Sequence, residues 1–266
     1  MIDATPSYRT IRQIVRNLDE LAGLERVWPR GAVHPGGPHY RLKGTLGPIS
    51  IGEDECGVIG RLIQKFRPAR CFMIGNGFGL SSAYIAKMME QNAGRSVVTL
   101  DNQSEGQGAR CAQVADQLRQ RMDCTLLTSH KGTSPQDIEP TAGDERYDFV
   151  FIDGLHRHPQ VTCDFQTVQR IAANDAIFCW HDYWMPGIPQ CVEYAQQTGY
   201  HCLKVNSSCE MAFGTKSDTV FNEIGKLYDN AEPPRPRLRP GAFFKLCYVL
   251  LTGTIKARVA AAPPAK

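Results

Sequence analysis

At 266 residues, of which 42% are hydrophobic, the chain is long enough to bury one large core. Its net charge of +3 argues against a nucleic-acid partner, and no run of 18 apolar residues offers a membrane span. The amino-terminal residues lack a signal-peptide core, and the ten cysteines include no C-x-x-C pair. We therefore expect a cytoplasmic protein with buried free thiols.

The first part of the chain contains two predicted helices and an irregular segment between them. Apolar residues along one face predict helices over residues 7–24 and 53–66. Residues 28–50 hold four prolines and five glycines, which predicts a loop or lid rather than a regular element. The amino-terminal region, residues 1–50, is therefore expected to lie beside a catalytic domain formed by residues 51–230.

The middle of the chain alternates between predicted strands and helices. The strands are expected at 70–74, 96–100, 124–128, 148–152 and 175–180, and the helices at 81–92, 106–121 and 160–172. Residues 200–205 and 210–214 flank a short polar stretch, which predicts a hairpin. The pattern predicts a doubly wound α/β fold with a mostly parallel seven-stranded sheet and an antiparallel C-terminal hairpin.

A glycine-rich turn follows the first of these strands. The turn brings bare backbone N–H groups and a helix N-terminus close to a bound ligand. The next strand ends in Asp101, 22 residues beyond Gly79, where a carboxylate is placed to hold the hydroxyls of a ribose. These features predict a nucleoside pocket lined by Gly75, Asn76, Gly77, Phe78, Gly79, Ser81, Asp101 and Asn102.

Carboxylates and imidazoles follow the fourth and fifth strands. One strand ends in Asp153 and, three residues later, His156; the other ends in His181 and Asp182. Because neighbouring parallel strands present their carboxyl ends to one crevice, we expect these side chains to converge. Asp153, His181 and Asp182 would make a divalent-metal site for Mg²⁺ or Mn²⁺. Asp153, His156 and His181 are the candidate catalytic residues, because a neutral imidazole can accept a proton near pH 7.

The motifs together resemble a class I S-adenosylmethionine-dependent methyltransferase. The matching parts are IGNGFG at 74–79, VVTLD at 97–101, FVFIDGLH at 149–156 and WHDY at 180–183. The last two resemble small-molecule O-methyltransferases, including macrocin-type sugar methyltransferases. The resemblance implies S-adenosylmethionine as cofactor, contacted also by Asp153, a small-molecule acceptor, metal binding by Asp153 and general-base catalysis by His156. The resemblance also implies that the acidic pair found further along the chain in this group corresponds to His181 and Asp182.

Two departures keep alternatives open. Met73 stands where such enzymes often carry an acidic residue, and His181 replaces an acidic residue of the sugar-specific members. A metal-free site with a histidine base is therefore an alternative to metal-assisted transfer. An NAD-type oxidoreductase and a methyltransferase fold repurposed as a binding partner are the rival functions.

The walls of the pocket are less well defined by sequence. Residues 28–50 and 183–190 are placed to form the acceptor wall. Two interpretations of Trp180, Tyr183 and Trp184 stay open: they line an apolar pocket there, or they pack in the core. The segment after the third strand is expected to approach an adenine, and it comprises Lys131, Gly132, Thr133 and Ser134.

The C-terminal region, residues 231–266, carries seven basic residues and one Glu, which gives it a charge of +6. A Pro- and Arg-rich linker precedes an apolar stretch at 242–251 that is too short to span a bilayer. We expect a helix docked on the body or in a homo-oligomer interface. The alternatives are peripheral contact of residues 241–260 with an anionic membrane surface, and a disordered tail.

Overall fold

The computed structural model describes residues 6–21, 23–27, 39–44, 50–103, 108–228 and 231–232. The Pro- and Arg-rich linker, the basic C-terminal stretch and most of the predicted lid lie outside the described residues. The oligomer and membrane roles of residues 233–266 therefore stay predictions. None of the described helices is long and apolar enough to cross a membrane.

The described helices and strands alternate along the chain. They are α1 (Pro6–Glu20), β1 (Leu24–Val27), β2 (His39–Leu42), α2 (Glu53–Phe66), β3 (Arg70–Ile74), α3 (Leu80–Glu90), β4 (Ser96–Asp101), α4 (Gly108–Arg121), β5 (Leu127–Lys131), α5 (Ile138–Ala142), β6 (Tyr147–Ile152), α6 (Gln160–Ile171), β7 (Ala172–Trp180), α7 (Gly187–Gln197), β8 (His201–Val205), β9 (Met211–Thr215), α8 (Asp218–Leu227) and β10 (Ala231–Glu232).

The main sheet has the strand order β10-β8-β9-β7-β6-β3-β4-β5. The strands from β7 to β5 are parallel, whereas β9 runs antiparallel to both β7 and β8. This confirms the predicted doubly wound sheet of seven strands with its antiparallel hairpin. The two-residue strand β10, which was not predicted, adds to the edge beside β8.

The parallel strands place alternate side chains on two apolar layers. Cys71 and Met73 of β3 face the layer that contains α1, α2 and α3. Phe72 and Ile74 face the layer that contains α6 and α7. Because both faces are covered by helices, β3 is apolar throughout and its carboxyl end is the part that can meet a ligand.

Several boundaries differ from the sequence prediction, and three of the differences have a clear structural cause. The first helix ends at Glu20 rather than 24, and Gly23 turns the chain with a φ of +92° into β1. Residues His39–Leu42 form β2, which pairs with β1, so the prediction of no regular element in 28–50 was wrong there. The third strand begins at Leu127 rather than 124, because the amides of Thr125 and Leu126 donate to the Glu90 carboxylate instead of a neighbouring strand.

The nine described cysteines are free, as expected, and seven of them are buried. The side chain of Asp148 has a structural role. Its carboxylate accepts hydrogen bonds from the amides of Ala69 and Arg70, so it ties the start of β6 to the start of β3.

We predict that two glycines of the turn after β3 differ in their tolerance of alanine. A Cβ atom at Gly75 would lie 2.1 Å from the backbone oxygen of Asp153, at a φ of +87°. Gly77 has a φ of +50°, and its Cβ would meet no atom within 4 Å among the described residues. Gly75→Ala should lower the free energy of unfolding by about 3 kcal/mol or more, and Gly77→Ala by about 1–2 kcal/mol. Urea denaturation measures both, and equal losses would contradict the prediction.

Candidate active site

The turn after β3 is shaped by its glycines. Gly75, Gly77 and Gly79 all have a positive φ, which lets the backbone turn sharply from β3 into α3. A Cβ atom at Gly79 would lie 2.9 Å from the Cα atom of Ala115 on α4. Gly75 and Gly79 therefore permit close packing of the turn, whereas Gly77 leaves open space where a ligand can approach.

Asp101, at the end of β4, holds this turn in place. One carboxylate oxygen accepts hydrogen bonds from the backbone amides of Asn76, at 2.7 Å, and Gly77, at 2.9 Å. The other accepts from the amide of Gln103 at 2.6 Å. A carboxylate oxygen has more than one lone pair, so Asp101 can support the turn and still accept from a ligand hydroxyl.

A single cavity of about 870 Å³ runs along the carboxyl ends of the parallel strands. All but one of the residues predicted to contact the cofactor line this cavity, the exception being Gly79. Those that line it are Gly75, Asn76, Gly77, Phe78, Ser81, Asp101, Asn102 and Asp153. His156 and Asp182 line the same cavity, as do Gly132, Thr133 and Ser134. The predicted cofactor residues and part of the predicted catalytic set therefore share one space.

Asp153, His156 and Asp182 converge at one end of this cavity. The Nε2 atom of His156 lies 3.3 Å from Oδ1 of Asp153, and its Nδ1 atom lies 3.5 Å from Oδ2 of Asp182. Asp182 has a φ of +55°, a conformation that a non-glycine residue rarely adopts. Its other carboxylate oxygen accepts a hydrogen bond from the indole of Trp184 at 2.8 Å.

His181 lies behind this group, and only 3% of the residue is exposed. Its Nδ1 atom is 3.0 Å from Oδ1 of Asp153, and its Nε2 atom is 3.1 Å from Oε2 of Glu55. Both ring nitrogens are thus occupied by carboxylates. His181 nevertheless forms, with Asp182 and Cys209, a second group whose possible ligand atoms all lie within 4.8 Å of one another. Its predicted roles as metal ligand and base therefore stay predictions.

Glu55 on α2 is the residue of this site that sequence reasoning missed. It is fully buried, and its carboxylate also accepts from Ser207 Oγ and from the amides of Gly52 and Cys209. The signal in the sequence was weak, because Glu55 is the last of three acidic residues in the first turn of a helix. Such residues usually stabilise a helix N-terminus without contacting an active site.

The charges of the buried groups support one another. Burial opposes ionisation of Asp153, but His181 and His156 outweigh it and hold the pKa of Asp153 below its usual range. Burial also opposes the charged form of His181, but Asp153, Glu55 and Asp182 raise its pKa well above the usual value. His156 behaves similarly: burial is outweighed by Asp153 and Asp182, which raise its pKa. Each imidazole therefore keeps its proton to a higher pH than an ordinary histidine does.

The side chains facing the cavity are suited to a divalent ion. Ligand atoms of Asp153, His156 and Asp182 all lie within 4.8 Å of one another. Nε2 of His156 is buried and makes no hydrogen bond of good geometry to the described residues. Two carboxylates and one imidazole fit Mn²⁺, Fe²⁺ or Zn²⁺, and Mg²⁺ when waters complete its shell. The set that lines the cavity contains His156 in place of the predicted His181.

Comparison with known proteins identifies the domain. Residues 72–183 match the model of a family described as a methyltransferase domain. This match indicates a methyltransferase domain over residues 72–183. No curated protein matches the chain in sequence.

Solved structures of methyltransferases share its fold. An O-methyltransferase from Bacillus cereus in complex with SAH aligns with a TM-score of 0.53 and 15% identity, over 81% of this chain and 92% of that one. A putative O-methyltransferase from Klebsiella pneumoniae aligns equally well, over 81% and 91%. The O-methyltransferase TomG from Streptomyces achromogenes, in complex with SAM, aligns with a TM-score of 0.50 and 17% identity, over 81% and 91%.

The family match and the shared fold confirm the predicted S-adenosylmethionine-dependent methyltransferase as a class. They disfavour the NAD-type oxidoreductase. The narrower resemblance to macrocin-type sugar methyltransferases stays a prediction.

The aromatic residues expected along the acceptor wall of the methyltransferase have different locations. Trp180 is fully buried and packs against Phe165 and Phe178, so of the two interpretations core packing applies to it. Tyr183 is also part of the core. Trp184, of which 39% is exposed, is the one that reaches the surface, where it contacts Asp182.

We predict that Glu55→Gln destabilises the methyltransferase by about 3–5 kcal/mol, because it leaves the charge of His181 without one of its buried partners. Interactions in the folded protein lower the pKa of Glu55, so its stabilising contribution is present above about pH 4.5 and lost as the pH falls. They raise the pKa of His181, so that contribution is present below about pH 6.5 and lost as the pH rises through the folded-state pKa.

The loss caused by Glu55→Gln should therefore be largest between about pH 4.5 and 6.5. Urea unfolding across pH 3–9 measures it. Glu53→Gln, in the first turn of the same helix, is the control and should change stability little. A loss at Glu55 that does not vary with pH would contradict the paired-charge interpretation.

Proposed function

We propose that this methyltransferase transfers the methyl group of S-adenosylmethionine to a hydroxyl of a small molecule. The observation that carries the proposal is the shared cavity, which joins the glycine turn and Asp101 to the group of Asp153, His156 and Asp182. Three structural neighbours are described as O-methyltransferases, one of them as a putative one, and two were solved with SAH or SAM bound. These neighbours support the same chemistry.

The cofactor would lie between the glycine turn and the end of β4. Gly77 leaves room for close approach, and the Asp101 carboxylate is placed for the ribose hydroxyls. Gly75, Asn76, Phe78, Ser81 and Asn102 complete this part of the wall. When bound, S-adenosylmethionine would supply a methyl group on a positively charged sulfur.

The acceptor would lie at the other end of the cavity, beside His156. A hydroxyl is a poor nucleophile until its proton is removed, and His156 is the imidazole that faces the cavity. Asp153 and Asp182 contact its two ring nitrogens and hold the ring in place. Met185, Pro186 and Gln190 form the wall of this part of the cavity.

A divalent ion is the further component that this end of the cavity can hold. Asp153 and Asp182, with His156, would bind it. When bound, such an ion would lower the pKa of an acceptor hydroxyl. Metal-assisted transfer and metal-free transfer with His156 as the base are the two versions of the proposal, and they differ in their response to chelation.

We predict that Asp101→Ala weakens binding of S-adenosylhomocysteine by about 10-fold or more. The substitution removes a charged acceptor, worth about 1.5–3 kcal/mol, and releases the amides of Asn76 and Gly77. Isothermal titration calorimetry measures the affinity. Asp116→Ala, at an exposed position on α4, is the control and should bind normally. Unchanged affinity in a folded Asp101→Ala protein would rule out the nucleoside pocket.

We predict that His156→Gln lowers kcat by about 10²–10⁴-fold while changing cofactor affinity little. The raised pKa of His156 places its neutral form at higher pH, so kcat of the chelated protein should fall as the pH falls through that pKa. Formation of S-adenosylhomocysteine with a panel of sugar and phenolic acceptors measures the rate. His158→Gln, which changes a second histidine lining the cavity, is the matched control.

Removal of divalent ions with a chelator distinguishes the metal-assisted version from the metal-free version. If the metal-assisted version holds, EDTA should abolish activity and Mg²⁺ or Mn²⁺ should restore it. Full activity after exhaustive chelation would leave His156 as the base of a metal-free reaction.

The histidine variants have their own contradicting outcome. If His158→Gln loses as much activity as His156→Gln, His156 has no specific role.

A further inference from the structure

A second group of cavity-lining residues, separate from Asp153, His156 and Asp182, combines polar and apolar side chains. Here the loop after β5 meets the start of α6, and Ser134, Leu155 and Gln160 line the space together with Leu100. Leu155 is 47% exposed and lines the cavity, so its side chain offers an apolar surface that a ligand can cover. Two leucines beside one amide suit a planar heterocycle with a hydrogen-bonding edge.

The amide of Gln160 is held in one orientation. Its Nε2 atom donates to the backbone oxygen of Ser134 and to Oδ1 of Asp164, both at 2.9 Å. Neither partner can donate a hydrogen bond when Asp164 is ionised, so both must face the NH₂ group rather than the carbonyl. The side-chain carbonyl oxygen of Gln160 is the atom that remains for a ligand.

Asp164 provides the support for this orientation. It lies one helical turn beyond Gln160 on α6 and is fully buried. Burial raises the pKa of its carboxyl group to about 6, and the hydrogen bonds from Ser134 and Gln160 oppose that effect. Its second oxygen, Oδ2, is buried without a hydrogen-bond partner among the described residues. A buried carboxylate is costly, so its contact with Gln160 is the visible compensation.

We propose that Gln160 determines specificity for the base of the cofactor by accepting a hydrogen bond from the exocyclic amino group of adenine. The inference rests on the proposed function, since it assumes that S-adenosylmethionine occupies the cavity. An oriented carbonyl accepts from an amino group but repels the oxygen that replaces it in a 6-oxo purine. Asp164 acts as a positioning residue through Gln160.

Binding of two ligands to the full-length protein tests the proposal. S-adenosylhomocysteine carries the amino group, and its deaminated analogue S-inosylhomocysteine carries an oxygen at the same place. The wild type should bind the first at least about 10-fold more tightly, because the second leaves a buried acceptor facing another acceptor. Isothermal titration calorimetry gives both dissociation constants without requiring a methyl acceptor.

Gln160→Met keeps the length of the side chain and removes its carbonyl. It should weaken binding of S-adenosylhomocysteine by about 10-fold and reduce the preference between the two ligands to about 3-fold or less. Gln190→Met makes the same change at the other end of the cavity and is the matched control. It should keep the wild-type preference.

Two further variants test the positioning role. Asp164→Asn retains an oxygen that can accept from Gln160 and should keep most of the preference, whereas Asp164→Leu should lose it. Thermal unfolding of each variant shows whether the fold is intact. If Asp164→Leu does not fold, Gln160→Met alone decides the proposal.

The possible failures are distinguishable. If the wild type does not bind S-adenosylhomocysteine, the proposed function is wrong. If it binds, but Gln160→Met retains the preference for the amino group, the cofactor assignment stands and the role of Gln160 is overturned.

Discussion

The candidate active site depends on one buried imidazole held between two carboxylates. His181 bridges Asp153 at the end of β6 and Glu55 at the start of α2. Glu55 also accepts a hydrogen bond from the backbone amide of Cys209, which lies in the connection between β8 and β9. Elements far apart in sequence thus meet at one side chain. Because an unpaired charge at this depth is strongly unfavourable, the fold and the position of Asp153 are energetically coupled.

Much of the fold followed from local sequence signals. The strand β3 and the helix α2 have the predicted bounds, since their apolar patterns are clear and no other interaction competes. The start of β5 was misplaced, because the carboxylate of Glu90, more than 30 residues away, satisfies the amides there. A contact of that kind leaves no local pattern. The capping of α8 by Ser217, whose hydroxyl accepts from the amide of Val220, was a local signal that could have been used.

The position of the candidate site could be predicted from the sequence better than the role of each residue in it. Strand ends identified Asp101, Asp153 and Asp182, since topology alone brings these ends to one edge of the sheet. Topology did not determine which histidine would face the cavity. His181 directly follows β7, and its side chain turns inward to meet Glu55. His156 lies four residues beyond the end of β6 and reaches the open space. The difference depends on a partner from α2 that no motif at the strand ends specifies.

The hydrogen bonds that the glycine turn donates to Asp101 have a consequence for the kinetics of the proposed cofactor binding. The amides of Asn76 and Gly77 are already fixed by the carboxylate before any ligand arrives. A turn that is ordered in advance does not lose conformational entropy when it is occupied, so little of the association free energy is spent on ordering it. Binding of the ligand to this turn then requires little rearrangement of the protein. Differences in affinity among related ligands are therefore expected to come from their dissociation rates rather than their association rates.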